Sequence, residues 1–159
     1  RVRFEKATRA PNVHFVGFKS RDEIADFYAA SDLFLFPSTT DTLGQVVMEA
    51  QASGLPAIVS TIGGPKEIVT HDLTGIVAPV EDPRDWIVAI NALLADPDRL
   101  RTMGEASFHQ MKTRTIERSF QDFWRAHLEA RRVHLAEHGV TPKGRTGKTP
   151  DITPGMALG

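Results

Sequence analysis

Two acidic residues and a glycine stand close together in residues 38–56, where their spacing suits the binding of a sugar and a phosphate. Asp41 precedes Gly44 by three residues and Glu49 by eight. A carboxylate accepts hydrogen bonds well from two neighbouring hydroxyls, so each acid could hold a sugar ring. Gly44 has no side chain and lets an anion approach the backbone closely. The segment therefore predicts a site for a nucleotide-diphosphate-sugar, with the diphosphate between two carboxylates.

The helix predicted after Asp41 would supply the anion site. Thr42 and Gln45 have the spacing of a capping box, so the helix is expected to begin near Leu43. The first-turn amides of Leu43, Gly44 and Gln45 would then lack helical acceptors. They would lie at the positive end of the helix dipole, which is a favourable place for a phosphate.

A purely structural interpretation of the same acids is equally open from their positions alone. Asp41 could cap the helix, and Glu49 could pair with an arginine of another helix. Glu49 has the apolar neighbours Met48 and Ala50, so its carboxylate needs either a partner or water. A ligand is favoured by the place of the segment, because it follows the apolar run 33–36, and open parallel sheets bind ligands at the carboxyl ends of their strands.

The elements that must position these residues follow from alternating apolar and amphipathic runs, which predict strands and helices in a mostly parallel sheet. Ser20 and Glu23 form a second capping box, which predicts a helix start. The predicted strands are residues 13–18, 33–36, 56–60 and 75–80. The predicted helices are one from Ser20, then residues 43–53, 66–70, one from Pro83, one from Pro97 to Met111, and residues 116–134.

Burial is predicted from the same patterns. The run 33–36 is apolar on both faces, which is typical of a strand in the centre of a covered parallel sheet. Helical spacing predicts inward stripes of apolar residues, at Ile24, Phe27 and Tyr28, at Trp86, Ala89, Ile90 and Leu93, and at Ile116, Phe120, Phe123, Trp124 and Leu128.

Composition bounds the class of protein. The chain has 159 residues, 41% of them apolar, and a net charge of −1, which gives no electrostatic reason to expect nucleic acid as a partner. It has no cysteine, and its six histidines show no metal-binding spacing. Residues 1–137 are predicted to form one domain, followed by a disordered or extended tail, residues 138–159, rich in Pro, Gly and Thr.

An ordered series of motifs resembles the retaining GT-B glycosyltransferases of the group 1 type. The family pattern has an acid, seven residues and a Glu, with a Gly soon after the acid; Asp41, Gly44 and Glu49 match it. Asp41 stands where many members carry Glu, and it keeps the charge on a side chain one methylene shorter. Flanking matches are Asn12 to Phe18, Ala29 to Ser38, Gly54-Leu55-Pro56, Gly63 to Glu67, and Thr74-Gly75.

The resemblance implies an α/β fold, an open mostly parallel Rossmann-like sheet flanked by helices, as in the C-terminal half of a GT-B enzyme. It implies hexosyl transfer from a UDP-, GDP- or ADP-sugar with retention of configuration, and no essential metal or other cofactor. Glu49 would hold the ribose and Asp41 the transferred sugar. The implied donor-binding residues are Phe18 and Lys19 at the base, and Thr42, Leu43, Gly44, Gln45 and Val46 at the diphosphate and sugar.

The resemblance also implies that catalysis needs further parts of the protein in addition to these 159 residues. The N-terminal acceptor-binding domain and the first strand of the donor domain would be missing partners, so negligible transferase activity is expected of the 159 residues alone. Their absence would expose a sheet edge through which copies could associate. The expected location is the cytoplasm, with at most a peripheral contact at the inner membrane face through the basic C-terminal residues.

Three other functions are weighed against a transferase. A sugar-nucleotide epimerase or phosphorylase-type enzyme has a similar architecture, but the order of the motifs favours the transferase. A non-catalytic nucleotide-sugar-binding module is also compatible with the residues, and the reading frame upstream of Arg1 would separate it from a transferase. A dinucleotide-dependent oxidoreductase is disfavoured because no Gly-x-Gly-x-x-Gly follows a strand.

Overall fold

The computed structural model describes residues 11–138 and divides after Thr115 into two compact units. The first unit holds a small parallel sheet with its helices, and the second holds one helix. In chain order the elements are α1 (Arg21–Ala29), β1 (Phe34–Phe36), α2 (Gln45–Ala52), β2 (Ala57–Ser60), a 3-10 helix (Pro65–Glu67), β3 (Gly75–Ala78), α3 (Pro83–Leu94), α4 (Pro97–Lys112) and α5 (Ile116–Glu137).

The three strands form a parallel sheet in the order β1, β2, β3, with Ile58 of β2 opposite Leu35 and Ile76. All four residues of β2 are buried, and their side chains alternate between two hydrophobic clusters. One cluster joins Ala57 and Val59 to Val47, Ile68 and Val69, and the other joins Ile58 to Ala78, Leu93 and Met103. A strand covered on both faces is what a parallel α/β sheet requires, so the predicted fold class is confirmed.

The predicted helix starts are confirmed where a side chain caps the first turn of its helix. Ser20 Oγ accepts from the Glu23 amide at 3.3 Å, and the Glu23 carboxylate accepts from the Ser20 amide at 2.9 Å. That backbone hydrogen bond, helped by the ammonium group of Lys19, lowers the pKa of Glu23 from 4.5 to about 2. The side chains of Asp82 and Asp96 cap α3 and α4 as their sequence positions predict.

The first predicted strand is wrong. Residues 13–18 form no strand, and Val13, Phe15 and Val16 are largely exposed. A strand needs a neighbour to accept its backbone hydrogen bonds, and none of residues 11–138 pairs with this run. The central place predicted for residues 33–36 is also wrong within the described sheet, because β1 lies at its edge and Leu35 is 44% exposed.

The later strands and helices differ from prediction mainly at their ends. A short 3-10 helix, Pro65–Glu67, replaces the helix predicted over residues 66–70. The chain turns after it so that Ile68 and Val69 reach the core. The stripe predicted on α3 is confirmed, with Leu93 fully buried and Trp86, Ala89 and Ile90 packed against the second cluster.

Helix α5 begins at Ile116 as predicted and continues to Glu137, past the predicted end at residue 134, but none of its 22 residues is buried. Ile116 is 84% exposed, and the aromatic rings stack along the helix itself, Phe120 on Trp124 and Trp124 on His127. The predicted burial of its stripe is therefore wrong for this chain. The tail predicted after residue 138 lies outside the described residues, as do residues 1–10, so the predicted domain boundary stays a prediction. Across residues 11–138, no helix has the length and apolar character needed to span a membrane.

Candidate functional site

The predicted site lies in the loop that joins the carboxyl end of β1 to α2. Asp41 is half-buried there, and two hydrogen bonds of its backbone hold it in place. Its amide donates to Ser38 Oγ at 3.3 Å, and its carbonyl accepts from the Gly64 amide at 2.9 Å. The loop is thus held both to its own start and to the turn that follows β2.

The Asp41 carboxylate binds the backbone that was expected to bind a phosphate. Its Oδ1 accepts from the Leu43 amide at 3.0 Å and from the Gly44 amide at 2.5 Å. The prediction of free amides at these two residues is therefore wrong. The short Asp side chain reaches the amides two and three residues ahead, as in an Asx turn.

The predicted capping box of Thr42 and Gln45 is also wrong. The N-cap residue is Gly44, which has a φ of 70° and makes no side-chain cap, so α2 begins at Gln45. Thr42 is exposed, and it makes no such bond to the amide of Gln45. The left-handed backbone that Gly44 permits sets the start of the helix here, and a capping side chain is not needed.

The free amides lie one residue later than predicted. In residues 11–138, the amides of Gln45 and Val46 have no hydrogen-bond acceptor, as is usual for the first turn of a helix. Asp41 Oδ2 likewise has no partner in the described part of the chain, because both amides go to Oδ1. The arrangement can therefore offer two amides to an anion and one carboxylate oxygen to a hydroxyl.

Two backbone segments touch at this site without side chains between them. A Cβ on Gly64 would lie 1.9 Å from the Thr42 carbonyl oxygen, and one on Gly44 would lie 3.0 Å from Pro65 Cγ. The segments 41–44 and 63–65 are called the two-loop contact below. Because the two backbones lie so close together, a shift of the 63–65 turn would also displace the start of α2.

Side chains of α4 and of the segment just after it form hydrogen bonds with residues 67–70, which follow the 63–65 turn, and no sequence pattern had selected them. Gln110 donates to the Ile68 carbonyl at 2.7 Å and accepts from the Thr70 hydroxyl at 3.0 Å. Arg114 donates to the Glu67 carbonyl at 3.1 Å. These contacts join residues that are 40 or more positions apart, so no local pattern could have indicated them.

Changing Gln110→Glu should loosen this turn. The carboxylate keeps the shape and can still accept from Thr70, but it cannot donate to the Ile68 carbonyl. We expect a loss of about 1–2 kcal/mol in the free energy of unfolding, measured by urea denaturation at pH 7. Gln121→Glu, the same change at an exposed position of α5, should alter it by less than about 0.5 kcal/mol. Equal stability of the two variants would contradict the role of Gln110.

Glu49 lines an open cavity of about 550 Å³ between α1 and α2. The cavity is lined by Arg21, Ile24, Ala25, Tyr28, Glu49 and Ser53. Glu49 is half-buried, and its carboxylate has no hydrogen bond or ion pair with any of residues 11–138. The predicted alternative, an arginine of another helix as its partner, is therefore not what the structure shows, although Arg21 lines the same cavity.

Tyr28 connects this cavity to the start of α2. Its hydroxyl donates to the Val46 carbonyl at 3.4 Å, and its ring packs edge-on against Phe34 at 5.7 Å. Burial raises the pKa of Tyr28, and the nearby charge of Glu49 adds to this. The phenol therefore stays protonated at neutral pH and remains a hydrogen-bond donor beside Glu49.

Phe18 and Lys19 lie just before α1, and neither lines the Glu49 cavity. The Phe18 side chain is fully exposed, and the Lys19 ammonium pairs with Glu23 at 3.0 Å. Their predicted backbone contact with a nucleotide base stays a prediction. No group of three or more histidine, aspartate or glutamate side chains within residues 11–138 could hold a metal ion.

Comparison with known proteins identifies similar sequences and folds. The model of the family described as glycosyl transferases group 1 matches residues 3–110. A D-inositol 3-phosphate glycosyltransferase of Thermobispora bispora is 40% identical over 81 residues, which are 51% of this chain and 19% of that protein. The chain thus aligns with about a fifth of the length of that relative.

Solved structures share the fold. A sucrose-phosphate synthase from Thermosynechococcus elongatus superposes with a TM-score of 0.70 and 28% identity, over 81% of this chain and 34% of the other. Anabaena HepE, solved in complex with UDP-glucose, superposes with a TM-score of 0.64 and 24% identity, over 76% of this chain and 33% of the other. The second likeness concerns the fold alone.

Proposed function

Because this chain belongs to the glycosyl transferases group 1 family, we propose that it forms the donor-binding half of a retaining hexosyltransferase and binds a nucleotide-diphosphate-sugar. The observation that carries the proposal is the Glu49 carboxylate, half-buried and unpaired among residues 11–138, at the wall of an open 550 Å³ cavity. A carboxylate in that state needs a partner, and the two hydroxyls of a ribose supply one.

The other groups fit the remaining parts of such a donor. The amides of Gln45 and Val46 lie one turn before Glu49 and would donate hydrogen bonds to the diphosphate at the start of α2. Asp41 Oδ2 would accept from a hydroxyl of the transferred sugar, while Oδ1 stays bound to the backbone. The base would extend toward Phe18 and Lys19 at the start of α1.

The aligned relative is about five times as long as the segment that this chain matches. The acceptor and the complete reaction are therefore proposed for a protein of that kind. We propose a phosphorylated cyclitol as the acceptor class, and the support for it is the name of the aligned relatives, D-inositol 3-phosphate glycosyltransferase. The groups that neutralise the leaving diphosphate and bind the acceptor would come from outside residues 11–138. The described groups at the start of α2 are amides and the Asp41 carboxylate, and Arg21 lines the Glu49 cavity instead.

Calorimetry of the 159-residue chain with UDP, GDP and ADP tests the donor site. We expect saturable binding of one nucleotide in preference to the other two, because the ribose and diphosphate contacts are shared and only the base differs. Adding EDTA should leave the affinity unchanged, since protein amides hold the diphosphate. A folded sample that binds none of the three, or that loses binding with EDTA, would contradict the proposal.

A further inference from the structure

A second cavity, of about 470 Å³, opens at the same edge of the sheet as Asp41. It is lined by Pro37, Thr39, Val80, Pro83 and Trp86. Pro37 directly follows β1 and Val80 comes two residues after β3, so the cavity lies across the carboxyl end of the sheet. It shares no lining residue with the Glu49 cavity, and the proposed donor contacts leave it unexplained.

Trp86 is the aromatic residue that lines this cavity. The indole Nε1 donates to the Pro79 carbonyl at 2.7 Å, which satisfies its polar atom and fixes the ring. The ring is half-buried, and it packs on the second hydrophobic cluster while still lining the cavity. What it can offer to a ligand is therefore a fixed aromatic surface, whose negative face attracts polarised C–H groups.

The rest of the lining matches one kind of ligand. Pro37, Pro83 and Val80 add apolar walls, and the exposed Thr39 hydroxyl adds a group that can donate and accept. No charged side chain lines the cavity, so a phosphate or a metal ion has no counter-charge there. A pyranose or cyclitol ring carries C–H groups on its faces and hydroxyls around its rim, and this pattern complements an apolar cavity with one hydroxyl.

The cavity also neighbours the proposed sugar contact. Thr39 and Asp41 belong to one loop, and the backbone of Gly63 lies against both, since a Cβ there would be 3.7 Å from the Thr39 carbonyl carbon and 2.9 Å from the Asp41 carbonyl oxygen. We propose that the Trp86 cavity is a subsite for a pyranose or cyclitol ring, which stacks on Trp86. The proposal rests on the proposed function, because the ring is either the transferred sugar or the acceptor.

The chain offers a direct probe, because Trp86 and Trp124 are its two tryptophans. Trp124→Phe leaves Trp86 as the single tryptophan, whose emission is excited selectively over that of Tyr28, and the ligands are UDP, UDP-glucose, glucose and myo-inositol. A change of Trp86 emission with UDP-glucose and not with UDP identifies the ring of the donor as the occupant. A saturable change with glucose or myo-inositol in the presence of excess UDP identifies an acceptor ring.

Variants of the lining residues then test whether the ring binds in the Trp86 cavity. Trp86→Leu should weaken ring binding about tenfold in saturation-transfer NMR, Trp86→Phe should largely restore it, and Thr39→Val should weaken it severalfold. UDP affinity measured by calorimetry should stay unchanged in all three variants. Thr39 is exposed, so that variant keeps the test valid even if Trp86→Leu fails to fold.

Three results would overturn the subsite. They are an absence of any emission change with all three rings in a sample that binds UDP, ring binding that is unchanged in Trp86→Leu, and ring binding that is unchanged in Thr39→Val. Failure of the donor site has a separate signature, since none of UDP, GDP and ADP would then give heat while the rings still changed the emission of Trp86.

Discussion

Replacing Glu49 by alanine should reduce the affinity for the preferred nucleoside diphosphate by about 100-fold, because hydrogen bonds to a charged group contribute about 1.5–3 kcal/mol. The carboxylate has no hydrogen bond or ion pair to lose among residues 11–138, so the change removes a ligand contact and little else. Calorimetry of wild type and Glu49→Ala with the same nucleotide measures the difference.

Three further measurements make this result specific. Glu49→Gln keeps the shape and should lose about tenfold, since an amide oxygen accepts more weakly than a carboxylate. Glu105→Ala removes an equal charge from the surface of α4, where Glu105 pairs with Arg101, and should leave the affinity unchanged. The urea midpoint of Glu49→Ala should stay near that of wild type. Full nucleotide affinity in the alanine variant would refute the role of Glu49 in ribose binding.

Fold class and the main elements could be predicted because they depend on local patterns. The Ser20–Glu23 capping box, the aspartate caps of α3 and α4, and the stripe of α3 involve residues within one or two turns of each other. Such signals are present in any window of the sequence, and the structure confirms them. The strand predicted over residues 56–60 is likewise confirmed, as β2.

The predictions that were wrong needed information from distant parts of the chain. Residues 13–18 have the composition of a strand, but pairing depends on a neighbour that the described chain does not provide. Helix α5 has an apolar stripe, but its burial depends on a surface to cover it. Periodicity specifies which residues could be buried, and only tertiary contacts decide whether they are.

The candidate site shows the same division at a finer scale. The acids and glycines of the segment could be selected from the sequence, but the competition for the Leu43 and Gly44 amides could not. That competition depends on the left-handed backbone of Gly44 and on the position of Asp41. The Gly64 amide fixes that position by donating to the Asp41 carbonyl oxygen at 2.9 Å. The shift of the free amides to Gln45 and Val46 follows from it.

Gly64→Ala should destabilise the chain by about 3 kcal/mol and largely abolish nucleotide binding. Gly64 has an ordinary φ of −74°, so an alanine there meets no backbone strain. The added Cβ would instead lie 1.9 Å from the Thr42 carbonyl oxygen and 3.1 Å from the Leu43 nitrogen, and both are backbone atoms. The two-loop contact must therefore open, which displaces Asp41 and the amides of Gln45 and Val46. Urea denaturation and calorimetry at low temperature measure the two effects.

Gly54→Ala separates a steric clash from a general loss of stability. Gly54 lies just after the end of α2 with a φ of +82°, and among residues 11–138 a Cβ there would meet only the Gly104 carbonyl oxygen, at 3.9 Å. Alanine should cost about 1–2 kcal/mol through left-handed strain, while the start of α2 and its nucleotide affinity remain unchanged. If Gly64→Ala binds nucleotide as well as Gly54→Ala does, the two-loop contact does not position the donor site, and the free amides of α2 act without it.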